Sequence, residues 1–183
     1  MTAGSEPEDA KRPLRWLGLV WVVLLGVLMF LSAKMQAHGR AGLLDFEFAG
    51  SGDRARQMLT AWGNSAEVAG RWAQWVDYGF IAVYVVYLTT ALRRAVRAAD
   101  NAGMRRAARI GHILVPAVWA AGVADAFQNT AQLLILGRRS IDASATAALV
   151  CGIVTSSLLI AAAISLGTNW FLRRRRAAAP QPT

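Results

Sequence analysis

Apolar positions fall in four long blocks, separated by short polar or charged stretches. The blocks are "WLGLVWVVLLGVLMFLSA" (16–33), "WAQWVDYGFIAVYVVYLTTAL" (72–92), "IGHILVPAVWAAGVADAFQNTAQLLIL" (110–136) and "TAALVCGIVTSSLLIAAAISLGTNWFL" (146–172). A bilayer core needs about 20 apolar residues in helical form, and each block qualifies. The pattern predicts an all-α fold, a four-transmembrane-helix bundle over residues 14–172. The third block would reach about 40 Å as a straight helix, so it is expected to tilt, protrude or bend, with Pro116 the obvious bend. The first block is longer than a signal core, and "KMQAHG" after it lacks a small-x-small cleavage pattern. It is read as an uncleaved helix. The ends, 1–13 and 173–183, are expected to be a flexible tail and a basic tail.

Residues 34–71 form the one long connection. Within it, "DRARQMLTAWG" (53–63) reads as a short amphipathic helix. Ser51 or Asp53 can cap it, Ala55, Met58, Leu59 and Trp62 share its apolar face, and Gly63 can end it. The next helix is expected to start near Ser65, after a capping arrangement from Asn64 to Glu67. In "GLLDFEFAG" (42–50), Leu44, Phe46 and Phe48 alternate with Asp45 and Glu47. As extended chain, the two acids would share one face and the apolar side chains the other. The acids are then either solvated, paired with Arg40 or Arg54, or part of a lid.

Charge adds an orientation. The chain has 183 residues, a formal net charge of +9, 55% hydrophobic and 17% charged residues. Soluble domains carry about a quarter charged residues. Of 20 basic residues, 13 lie before the first block, between the second and third, or after the fourth. The positive-inside rule then puts both termini in the cytoplasm and 34–71 outside. The expected location is a membrane crossed four times. The arginine clusters read as topology and anionic-lipid contact rather than nucleic-acid binding. Trp16, Trp72, Trp75 and Trp170 near the block ends fit aromatic belts.

Candidate chemistry is concentrated in the third block. Relative to Asp125, residues Gln128, Asn129 and Gln132 fall at about −60°, +40° and −20° around a helix, so all four share one stripe. Exposing Asp to lipid there would cost about 2.5–3.5 kcal/mol, so the stripe must face protein or water. In the second block Gln74, Asp77 and Tyr84 lie within about 80° of one another and offer a partner face. Desolvation and mutual repulsion disfavour charging two such aspartates at once, and no Lys or Arg lies mid-span to neutralise them. Asp125 is expected to bond Asn129, Gln128, Tyr78 or Tyr84. The stripe has three readings: interhelical glue, a ligand site, or an ion or proton path. Thr155, Ser156 and Ser157 are expected to bond their own helix backbone. Cys151 is the single cysteine, His38 and His112 are isolated, and no phosphate loop, nucleophile elbow or zinc motif occurs. No metal or cofactor is therefore expected.

The segments "LLDFEFAGSGDRARQMLTAWG", "WVDYGFIAVYVVYL" and "VADAFQNTAQLL" together resemble an uncharacterised family of small four-helix bacterial integral membrane proteins, across about residues 42–136. The resemblance implies that Glu47, Trp62, Asp77, Tyr84, Asp125 and Asn129 form the family pattern. Gln128 departs from it, standing where the pattern carries Glu. The expected function is an outward-facing intramembrane pocket for a lipid or hydrophobic small molecule. Asp77 and Asp125 would anchor it, Tyr84, Gln128 and Asn129 would orient it, Glu47 and Trp62 would cover it, and Gln74 and Gln132 are further ligand-binding candidates. The alternatives are a membrane enzyme using the paired aspartates for proton transfer, and a non-catalytic subunit or homo-oligomer whose stripe meets another helix.

Overall fold

A computed structural model describes residues 8–178. Among them all regular structure is helical, in five elements: α1 (Glu8–Gly39), α2 (Leu43–Glu47), α3 (Gly52–Asn101), α4 (Arg105–Leu136) and α5 (Ile141–Ala178). Four of these are long and apolar enough to cross a membrane. Each helix runs past its apolar block, because nothing in the flanking polar residues stops it. Residues 8–13 and 173–178, assigned to the tails from sequence, are helical here; 1–7 and 179–183 lie outside the described residues. α4 stays helical through Pro116.

The amphipathic segment and the second apolar block form two limbs of α3, joined at Gly63 (φ 63°, ψ −179°). That conformation is open essentially to glycine alone. Ser51 is the cap: its hydroxyl accepts from the Arg54 amide at 3.3 Å. The four residues assigned to the apolar face, Ala55, Met58, Leu59 and Trp62, are all buried.

The alternating segment 42–50 is not extended. Residues 43–47 make one helical turn, α2. Helical spacing separates the two acids that an extended chain would place together. Asp45 turns back to accept from the Gly42 amide at 2.8 Å. Leu43 and Phe46 are buried, while Leu44 and Phe48 are exposed. Asp45 and Glu47 pair with neither Arg40 nor Arg54. Instead Arg56 bonds Asp53 and Asp142 (2.9 and 2.8 Å), tying α3 to the start of α5.

α3, α4 and α5 pack on one another, and α1 packs along α3. No Cα of α1 comes within 8 Å of one in α4 or α5 among the described residues. α2 touches all four long helices, so it roofs one end of the bundle. Toward the other end, α3 and α4 approach closely over glycines. A Cβ on Gly111 would sit 2.4 Å from Val96 Cγ2, and one on Gly122 would sit 2.5 Å from Val85 Cγ2. Small residues permit such contact between helix backbones.

Candidate functional site

Beneath α2 lies a hollow of about 620 Å³, bounded by all five helices. The antiparallel register of α3 and α4 builds its inner wall. At one level Asn129 Nδ2 donates to Asp77 Oδ2 at 2.7 Å; farther from α2, the Tyr84 hydroxyl donates to Asp125 Oδ2 at 3.0 Å. The two aspartates thus belong to one site, each held by a donor from the opposite helix. Asp125 bonds across to α3 rather than to Asn129 or Gln128 on its own helix. Tyr78 is not part of this wall: its hydroxyl shares a 2.8 Å bond with Thr130 Oγ1.

Four of the sequence-derived candidates line the hollow: Glu47 from α2, Asp77 from α3, and Asp125 and Gln128 from α4. Asn129 and Tyr84 stand behind the aspartates as positioning groups. Trp62 does not reach the hollow. Its ring packs on Phe46 (centroids 4.9 Å apart) and its Nε1 donates to the Ala41 carbonyl at 2.9 Å, so it supports the roof from below α2. Gln74 and Gln132 are also set apart from the lining. Both are buried, and their amide nitrogens and oxygens have no hydrogen-bond partner among the described residues.

Gln128 is only 3% exposed. Its amide borders the hollow against Gly152, where an added Cβ would lie 3.0 Å from Nε2. No hydrogen bond to its side chain occurs among the described residues. Buried amides normally have partners, so an unpaired one facing a cavity is ready for a ligand's polar group.

Glu47 also lacks a hydrogen-bonding partner there. Burial, and after it the carboxylates of Asp77 and Asp125, push its carboxyl from 4.5 up to about 8. The splitting of the two acids of α2 therefore has a chemical result: Asp45 caps the turn, and Glu47 joins the aspartates.

The α1 and α5 walls were not anticipated. α1 contributes Leu25, Leu28, Met29, Ser32, Ala33 and Gln36. A serine and glutamine four residues apart at the end of an apolar helix were the available signal. Ser32 Oγ accepts from the Leu43 amide at 3.0 Å, fastening α2 to α1. From α5, Thr155 and Ser156 line the hollow. Thr155 bonds the Ala121 carbonyl of α4 at 3.2 Å, not its own helix as expected. The hollow was expected to open outward past the acids. α2 roofs that end, and beside it no Cα of α1 lies within 8 Å of one in α5 among the described residues. The rim there includes exposed Leu25, Met29, Leu44 and Phe48.

Compared with family models, curated proteins and solved structures, the chain matches none, so the site is read from its own geometry. That geometry is a polar inner wall with an apolar, exposed rim.

Proposed function

We propose that this is an integral membrane protein of the bacterial cytoplasmic membrane whose hollow takes up a lipid or another hydrophobic small molecule. Both termini are then cytoplasmic, and α2 roofs the outer-leaflet half of the bundle. The observation that carries the reading is the unpaired, buried Gln128 amide beside three carboxyl groups, in a hollow whose rim is apolar. Pockets for small molecules commonly measure about 300–1,000 Å³ and pair apolar lining with a few convergent polar groups. Pure glue would pair the Gln128 amide within the bundle rather than leave it bordering a hollow. A stripe meant for another protein's helix would face outward, whereas Gln128, Asn129 and Gln132 are buried within the chain. The resemblance to the small four-helix family is part of the same proposal, since its pattern falls on these residues.

The test is purification in native-lipid discs, with mass spectrometry of the retained molecules. The wild-type chain is expected to retain one species in constant proportion. Asp125→Asn should lose it while its melting temperature stays level or rises. Full retention by the variant, or destabilisation with no change in retained molecules, would reject the pocket as a binding site.

A further inference from the structure

Resting on the pocket reading above, we propose that the ligand's head group is an ammonium ion. Its apolar chain leaves the protein between α1 and α5.

The lining supplies three carboxyl groups, Glu47, Asp77 and Asp125, and no Lys, Arg or His. They come from three elements: α2, α3 and α4. α1 and α5 add no titratable side chain to the lining, only Ser32, Gln36, Thr155 and Ser156 among its polar groups. A phosphate or carboxylate head group would bring a negative charge against these acids, with no basic side chain in the lining to offset it. An ammonium group would supply the missing counter-charge where desolvation strengthens the attraction.

Acids alone would not define a ligand. The second observation is Gln128, 3% exposed and without a partner, bordering the same hollow. Its carbonyl can accept an N–H from a primary ammonium. Phe80 also lines the hollow, and aromatic rings attract cations. No Asp or Glu in the lining is already engaged by a basic side chain.

The apolar chain follows from the mouth. No Cα of α1 lies within 8 Å of one in α5 among the described residues, and Leu25, Met29, Leu44 and Phe48 are exposed along the rim. A head group drawn to the acids leaves its tail among these residues and then in the bilayer.

The experiment uses the full chain in phosphatidylcholine nanodiscs, with binding read by native mass spectrometry at pH 7.5. The probes are dodecylamine (protonated there), butylamine, dodecanol and dodecyl phosphate. Dodecylamine is expected to bind saturably, one per chain, at least tenfold tighter than dodecanol or butylamine, with no saturable binding of dodecyl phosphate. Gln128→Lys, which tethers an ammonium beside the acids, should abolish dodecylamine binding and raise the melting temperature. Equal binding of dodecanol or dodecyl phosphate overturns the ammonium head group while the pocket stands. Equal binding of butylamine overturns the chain. Saturable binding of no probe, together with unchanged retention of native molecules in Asp125→Asn, overturns the pocket as well.

Discussion

The α3–α4 interface has two unlike halves. Away from α2 it is mainly apolar: Gly111 lets Val96 seat against the opposite helix, and Leu92 and Val118 are fully buried. Near α2 the same two helices meet through Asn129 with Asp77 and Tyr84 with Asp125, and a hollow opens beside them. Glycine contacts need no space and tolerate none. Long polar side chains hold backbones apart and need partners. One helix pair therefore packs closely at one end and lines the candidate site at the other.

Perturbing the roof should have the largest effect. Trp62 is fully buried and anchors α2 through Phe46 and the Ala41 carbonyl. Trp62→Ala is expected to lose about 3–5 kcal/mol, with hydrogen exchange rising in α2 before the Gly111 region. Equal exchange rises in both halves would merge them into one cooperative unit.

The apolar half is tested by Gly111→Ala, whose new methyl group meets Val96. Overpacking of this kind costs about 1–3 kcal/mol, lowering the melting temperature by about 2–10 °C. Retention of the bound molecule should not change. Loss of that molecule would show the apolar half and the site to be coupled.

A smaller effect is expected from Tyr84→Phe, which removes the donor to Asp125. Interhelical hydrogen bonds within membranes average about 0.6 kcal/mol, so thermal stability should fall by only about that amount. Ligand retention should fall more steeply than stability, because the acid loses its orientation. A stability loss above about 2 kcal/mol with intact retention would recast this half as glue.

The smallest change is a pH slope. Folded Glu47 keeps its proton to about 8, while the unfolded chain releases it near 4.5. Between those values the unfolded state holds fewer protons, so stability falls as pH rises. The melting temperature should therefore be lower at pH 9 than at pH 6, and Glu47→Gln should flatten that part of the curve. An unchanged slope in the variant would remove Glu47 from the acid cluster.

Much of the site was legible because two periodicities agree. Helical spacing places Gln128, Asn129 and Gln132 with Asp125, and Gln74 and Tyr84 with Asp77. Antiparallel neighbours then bring the two stripes together. The amphipathic limb was equally legible, since its four apolar residues recur at helical intervals and Gly63 permits the break that follows. In 42–50, alternation suggested extended chain, but a one-turn helix formed because Ser32 and Asp45 satisfy its first amides. Nothing local announces the Ser32 contact, which spans eleven residues. Thr155 misled in the same way: its hydroxyl had a carbonyl available on α4 as well as on its own helix.

The sequence by itself determined four long apolar helices, a short helix ending at Gly63, and two polar stripes that must be shielded. These follow from hydrophobic period and backbone preference, which act within a few turns. Tertiary structure alone decided that Glu47 joins the aspartates while Asp45 does not, that Gln128 borders a hollow while Gln74 and Gln132 do not, and that α1 and α5 add walls to that hollow. Those outcomes depend on where α1 and α5 stand relative to α3 and α4, and that is set by packing among residues far apart in the chain.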